Sequence, residues 1–249
     1  MPLKLSTLGG LDLHQLSDGD RVERVELPGP KISGLFLYLA IEGQRAPVRR
    51  STLCRLFWSD ADAASSRNSL RSALCSLRRA LPHVVSATGS PEEIGIRPDG
   101  LWCDAHAFDR AASNGRWREA MDLYRGAFLR GFHVAEALDF EQWLDRKRER
   151  LAKEACSAAW HLAEDAVRSG ETVEAALWAR QSVKLAPYDE LNLRRALEFL
   201  DELGDRAGAI HVFEQFRDRL RAEFDGSTSP RTLELVEEIR SGQLVSTRH

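Results

Sequence analysis

The 249-residue chain lacks several features that would assign it to common protein classes. It has no run of about 18 apolar residues, the length that a membrane-spanning helix needs, so we expect no membrane association. Its N-terminus lacks a basic stretch followed by an apolar core, which predicts no secretion signal. The few cysteines are widely spaced without a CxxC pair, so we expect free thiols in a reducing cytoplasm rather than a zinc site or disulfides. They are Cys54, Cys75, Cys103 and Cys156.

Catalytic motifs are missing as well. The sequence contains no glycine-rich phosphate loop, no HExxH and no GxSxG, and its seven histidines are dispersed. The nearest pair of carboxylates, Asp139 and Glu141, is more simply explained as the acidic start of a helix. We therefore predict that the protein is not an enzyme and needs neither a cofactor nor a metal.

Positive charge is concentrated in one segment. The formal net charge is -3, yet residues 45–79 hold eight arginines and only two aspartates. A slightly acidic chain does not coat nucleic acid unspecifically, but one basic face can still bind it.

Within that segment, residues 61–81 have the pattern of an amphipathic helix. Leucines recur at steps of four, three and four, which places them on one side of a helix with 3.6 residues per turn. They are Leu70, Leu74, Leu77 and Leu81.

The opposite side of this helix combines small polar residues with arginines and has no carboxylate after Asp62. Arginine pairs with guanine and asparagine with adenine in the major groove of DNA, and serine or arginine can hold phosphates. The alternative is an ordinary surface helix with solvated arginines, although such helices usually mix charges of both signs. The surrounding elements favour the DNA-binding interpretation.

Those elements follow the order of a winged helix. Residues 3–27 alternate as short strands with a hairpin turn at Asp18-Gly19, and residues 31–41 form a first helix. A second helix begins near Arg49, with Ser51 as its expected N-cap, and a hairpin at residues 84–97 follows the third helix. In this fold the third helix enters the major groove and the hairpin is the wing.

The second half of the chain is predicted to be helical and repetitive. Gly115, Gly170 and Gly204 each precede an alanine by five residues, and the last two are separated by the 34-residue tetratricopeptide period. The first interval is longer, which we attribute to extra helix inserted at residues 128–153. A helical bundle without true repeats is the alternative.

Further motifs occur in order between residues 3 and 240. They are residues 34–40 (GLFLYLA), 56–58 (LFW), 64–71 (ASSRNSLR), 76–81 (SLRRAL), 104–108 (DAHAF), 124–132 (YRGAFLRGF) and 140–145 (FEQWLD). This combination resembles the SARP-like (antibiotic regulatory protein) activators, which join an OmpR-like winged helix to a bacterial transcriptional activator domain. The resemblance implies a cytoplasmic transcription activator that binds promoter repeats and contacts RNA polymerase. One departure is the wing tip, where Glu92 and Glu93 would repel phosphates.

The predicted fold is mainly α with a small β component. An N-terminal winged helix-turn-helix (residues 1–104) precedes an all-α, tetratricopeptide-like helical repeat domain (residues 105–249). The predicted partner is double-stranded promoter DNA, with a homodimer on repeated sites. The predicted DNA-binding residues are Arg49, Arg50, Ser65, Arg67, Asn68, Arg71, Ser72, Arg78, Arg79 and Arg97. Two other functions stay open: a helical-repeat adaptor for proteins, and a regulator that senses a ligand through the repeat domain.

Overall fold

A computed structural model describes residues 3–16, 22–44, 46–82, 84–87, 90–97 and 100–242. The predicted Asp18-Gly19 turn and part of the wing tip lie outside these residues. The fold class is confirmed, since the chain is mainly α-helical with two small sheets.

The first sheet combines the N-terminal strands with a later one. Its strands are β1 (Leu3–Ser6), β2 (Asp12–Leu16), β3 (Val22–Arg24) and β7 (Leu101–Cys103), in the order β3-β2-β1-β7. β1 and β2 are antiparallel, whereas β1 and β7 are parallel. The buried Asp104 secures this sheet because its carboxylate accepts hydrogen bonds from the Thr7 backbone N–H (2.8 Å), the Thr7 hydroxyl (2.6 Å) and the Leu8 N–H (2.9 Å).

Three helices and a second sheet complete the predicted winged helix. The helices are α1 (Pro30–Glu42), α2 (Arg50–Trp58) and α3 (Ala63–Ala80); the sheet contains β4 (Val48–Arg49), β5 (Val85–Ala87) and β6 (Glu93–Ile96), in the order β4-β6-β5. The expected N-cap at Ser51 is wrong. Arg49 occupies that position without a side-chain cap, because pairing of β4 with β6 keeps the chain extended up to this residue.

The segment after β7 contains α4 (Asp104–Ser113), α5 (Trp117–Leu123) and α6 (Leu138–Arg168). The expectation of extra helix throughout residues 128–153 is only partly right, since regular helix begins at Leu138. The preceding residues form an irregular segment that Arg148 holds through its guanidinium group, which donates to the carbonyls of Phe128, Leu129 and Phe132 at 3.0–3.1 Å.

The start of α6 packs against the winged helix. Phe140 lies 4.8 Å from the Phe57 ring centroid, and Glu42 at the end of α1 accepts from Trp143 Nε1 (3.0 Å) and pairs with Lys147 (2.9 Å). Gly34 is needed at this contact because a Cβ there would lie only 3.0–3.3 Å from three side chains. Residues up to Asn114 together with Asp122–Leu151 therefore form one compact unit.

The second compact unit contains Gly115–Met121 and the residues from Ala152 onward. Its remaining helices are α7 (Thr172–Leu185), α8 (Glu190–Glu202), α9 (Arg206–Phe224) and α10 (Pro230–Ser241). The three predicted repeat glycines have positive φ angles of 69°, 77° and 78° and lie two residues before the first residue of α5, α7 and α9. The alanine five residues after each glycine is fully buried, which allows neighbouring helices to approach closely. The domain boundary predicted between residues 104 and 105 stays a prediction.

Candidate nucleic-acid interface

Helix α3 begins at a well-formed cap. The Asp62 carboxylate accepts from the backbone N–H groups of Ala64 (2.8 Å) and Ser65 (3.0 Å) and from the Ser65 hydroxyl (2.6 Å). These hydrogen bonds, that of the Ser65 hydroxyl first, lower the pKa of Asp62 because they stabilise its charged form. A sequence signal for this cap was present, since aspartate is a favoured N-cap residue.

The apolar side of α3 is seated in the core as predicted. Leu70, Leu74 and Leu77 are almost completely buried, and so is Leu81, which follows the helix. This burial fixes the rotation of α3 about its axis and therefore decides which residues face outward.

Every predicted α3 residue is exposed. These residues are Ser65, Arg67, Asn68, Arg71, Ser72, Arg78 and Arg79. At 100° per residue, Asn68, Ser72 and Arg79 fall at the middle of the exposed face, close to Cys75. The remaining arginines line one edge of it. We call these seven predicted residues together the polar face of α3; Cys75 is not counted in it.

The polar face carries four arginines. Among the residues that the structure describes, no carboxylate lies within ion-pair distance of Arg67, Arg71, Arg78 or Arg79. The polar face thus offers one amide and guanidinium groups that form no ion pair with a described carboxylate, a combination suited to phosphates and to base edges.

The predicted residues outside α3 are placed differently. Arg49 is exposed and lies opposite Glu93 in the β4–β6 ladder. Arg50 is half-buried, and its Nε donates to the Pro91 carbonyl at 2.8 Å. Arg97 is exposed at the end of β6. Arg50 therefore attaches the wing tip to the start of α2.

A groove of about 610 Å³ adjoins the arginine edge of α3, and no sequence pattern predicted it. It lies between α2, α3 and the wing tip, and its lining includes Cys54, Ser66, Arg67, Arg71 and the acidic Glu92. Among the described residues, no group of three or more His, Cys, Asp or Glu side chains is arranged to hold a metal ion.

No helix in the described part of the chain is both long and apolar enough to cross a membrane. Burial, with the nearby Asp104 second, raises the pKa of the Cys103 thiol to about 12, so this cysteine is not a reactive thiolate.

Comparison with known proteins identifies a protein family and a similar solved structure. The bacterial transcriptional activator domain family matches residues 103–240. The structure of Mycobacterium tuberculosis EmbR in complex with low affinity phosphopeptide matches with a TM-score of 0.58 and 18% sequence identity, covering 97% of this chain and 65% of that chain. This chain thus spans 65% of the length of that protein, and at such identity the likeness concerns the fold alone. Curated protein sequences give no significant match.

Proposed function

Because this chain belongs to the bacterial transcriptional activator domain family, as the SARP-like resemblance predicted, we propose that it is a sequence-specific DNA-binding transcription regulator. It binds promoter repeats by inserting α3 into the major groove and acts as an activator. The observation that carries this proposal is the polar face of α3, which is exposed and free of carboxylates while the leucines behind it are buried.

The middle of the polar face, together with Arg71 on its edge, supplies the base contacts. Asn68 can pair with adenine through its side-chain amide N–H and its amide oxygen. Arg71 or Arg79 can pair with guanine through two N–H groups. Ser72 donates to or accepts from either base. Ser65 contributes less, because its hydroxyl already donates to Asp62.

The edges of the polar face supply the phosphate contacts. Arg67 and Arg78 lie nearer the DNA backbone, together with Arg49 at the start of α2. Arg50 adds to them through the guanidinium N–H groups that its bond to Pro91 does not use. Arg97 is the basic contact of the wing, whose exposed Glu92 keeps the tip away from phosphates.

One such unit makes few contacts with DNA, so two copies on a repeated site are needed for tight and specific binding. A homodimer on DNA and a contact with RNA polymerase complete the proposal, with the cytoplasm as the site of action. The rival function is a protein adaptor that uses the helical repeats and has no affinity for DNA.

The experiment begins with selection of a preferred duplex from a random pool by the purified chain. Fluorescence anisotropy across a salt series then compares Asn68→Ala with Arg78→Ala. Asn68→Ala should lose about 1–3 kcal/mol of discrimination between the selected and a scrambled duplex. Arg78→Ala should bind both duplexes more weakly and reduce the slope of log K against log salt by roughly 0.9.

Arg110→Ala is the matched control, since Arg110 is an exposed arginine of α4 in the same unit. It should leave both the discrimination and the salt slope unchanged. If Asn68→Ala and Arg78→Ala bind like the control, α3 is not the interface. If the wild-type chain selects no duplex at all, the adaptor function is favoured instead.

A further inference from the structure

The second unit contains a cavity of about 700 Å³ between α6 and α8. Its lining includes Lys153, Cys156, Trp160, Asn192, Arg195 and Arg231. The DNA-binding function proposed above uses none of these residues.

Asn192 at the start of α8 has a fixed amide orientation. Its Oδ1 accepts from Trp160 Nε1 at 2.7 Å and from the Cys156 thiol at 3.6 Å. Since an indole N–H can only donate, the amide oxygen must face Trp160 and the Nδ2 group must point elsewhere.

The Nδ2 group of Asn192 has no hydrogen-bond acceptor in the described part of the chain, although Asn192 is only 8% exposed. A buried donor without an acceptor is destabilising, and such groups are uncommon in folded proteins. A bound molecule with an acceptor oxygen would satisfy it.

The lining has four basic side chains, Lys153, Arg194, Arg195 and Arg231, against three carboxylates, Glu164, Asp189 and Glu198. This small excess of positive charge leaves room for an anionic acceptor beside Arg231. Arg231 is exposed, and no carboxylate of the described residues lies within ion-pair distance of it. The Cys156 thiol adds no negative charge, because burial, followed by the nearby Asp189, raises its pKa to about 11.

The Nδ2 group is shielded from solvent in the free protein, so a side chain of the lining must move before a ligand can reach it. Arg195 is suited to this movement, since it lies 3.9 Å above the Trp160 ring at the cavity and its ion pair with Glu164 (2.7 Å) is exposed. Exposed pairs of this kind contribute little stability and open readily.

We propose that this cavity binds a carboxylate, carried by a small organic acid or by the C-terminus of a peptide. One carboxylate oxygen accepts from Asn192 Nδ2, and Arg231 stabilises the charge. The site would make the second unit responsive to a ligand.

Nuclear magnetic resonance of the full-length, ¹⁵N-labelled chain tests the proposal through the Asn192 side-chain amide and the Trp160 indole N–H. Hexanoate is the first probe, with hexanamide and hexylamine as its neutral and cationic counterparts. Hexanoate should shift both resonances saturably and bind at least about tenfold more tightly than the other two, because charge-assisted hydrogen bonds are the stronger ones.

A short apolar peptide, used with a free and with an amidated C-terminus, distinguishes the two sources of the carboxylate. If only the free peptide binds, the peptide C-terminus is the natural form of the ligand. If hexanoate binds at least as well as the free peptide, a small acid is.

Asn192→Asp is the decisive variant, because it keeps an acceptor for Trp160 but replaces the donor with a second oxygen. It should lower hexanoate affinity at least about tenfold, as monitored by the Trp160 indole, whereas Arg231→Gln should weaken binding less. The far-ultraviolet circular dichroism of each variant checks that it is folded, and if Asn192→Asp unfolds, Arg231→Gln decides. The proposal is overturned if neither carboxylate probe shifts Asn192 at millimolar concentration, if hexylamine binds as tightly as hexanoate, or if folded variants bind like the wild type.

Discussion

The arginines of the two compact units differ in what surrounds them. In the second unit most described arginines pair with a carboxylate, as in Arg195–Glu164 and Arg206–Asp201, whereas Arg219, Arg221 and Arg231 do not. The other pairs there are Arg116–Glu119, Arg118–Glu174, Arg168–Asp165, Arg180–Asp205, Arg194–Glu190, Arg217–Asp218 and Arg240–Glu237. On the polar face of α3 in the first unit, no described carboxylate pairs with an arginine.

The difference teaches that arginines without a described carboxylate partner are concentrated in the first unit, where those of α3 are joined by Arg97, Arg110 and Arg125 among others. Where arginine serves the fold, the sequence places a carboxylate within reach, often three or four residues away on the same helix. On α3 the arginine side chains repel one another instead. This repulsion is slightly destabilising, and a polyanionic partner would remove it. Three predictions follow from this contrast and concern stability, from the largest effect to the smallest.

The interiors of the two units should respond alike even though their surfaces differ. Leu77→Ala in α3 and Leu197→Ala in α8 each remove a side chain that is fully buried. Each should lower the free energy of unfolding by about 2–5 kcal/mol, because the lost apolar contacts leave a cavity. Urea unfolding followed by circular dichroism measures this loss.

Cys75→Ala is the control for the leucine variants, since Cys75 is exposed on the same helix as Leu77. Its unfolding free energy should stay within about 0.5 kcal/mol of the wild type. Equal losses for Cys75→Ala and Leu77→Ala would mean that the leucine side of α3 is not its buried side.

Loss of a paired arginine should destabilise the protein more than loss of an unpaired one. Arg206 donates through Nε to Asp201 at 2.9 Å, and Asp201 is almost completely buried. Arg206→Ala should therefore lower the free energy of unfolding by about 1–3 kcal/mol, because a buried carboxylate loses its partner. Arg79→Ala should change it by less than about 0.5 kcal/mol.

Chemical denaturation of Arg206→Ala and Arg79→Ala side by side measures the difference. Adding Asp201→Asn to Arg206→Ala should recover part of the loss, since a neutral amide is less costly to bury than an unpaired charge. If the two arginine variants were equally stable, the paired arginine would contribute no more to the free energy of unfolding than the unpaired one, and the contrast between the units would not concern stability.

Sequence patterns predicted the parts of the fold that depend on local periodicity. The leucine stripe of α3 and the three repeat glycines were placed correctly because helix period and backbone conformation are local properties. Pairing between distant segments was not accessible. Neither the two-residue strand β4 nor the wrong N-cap at Ser51 could be foreseen, because the pairing of β4 with β6 joins residues more than 40 positions apart.

The candidate interface was predictable to the same extent. Alternation of leucine with polar residues decides which side of α3 is exposed, so exposure of Asn68 and Arg71 follows from the sequence. The attachment of Arg50 to the Pro91 carbonyl does not, because it depends on where the wing tip folds. Whether these residues contact DNA stays a prediction.

The smallest expected effect concerns an acidic group of the second unit and its dependence on pH. Glu190 Oε1 accepts from the Ser229 N–H (2.8 Å), the Ser229 hydroxyl (2.5 Å) and the Thr232 hydroxyl (2.5 Å), which fastens the start of α10 to α8. Burial alone would raise the pKa of Glu190, but these hydrogen bonds and the nearby Arg194 outweigh it and lower the pKa below its usual value of 4.5.

A carboxyl group whose pKa is lower in the folded state stabilises the fold above the unfolded pKa, and this contribution disappears as the pH falls through the folded pKa. Glu190→Gln should therefore be less stable than the wild type by about 0.5–1 kcal/mol at pH 7 and should approach it below pH 4, since Glu190 is partly exposed and its bonds are screened. Thermal unfolding of both proteins between pH 3 and 7 measures this, with Glu198→Gln as the control because Glu198 is an exposed residue of the same helix. A stability difference that stayed constant over this range would show that the charge of the Glu190 carboxylate does not fasten α10 to α8. Only the ion pairs of the arginines would then remain as charged contacts that stabilise the second unit.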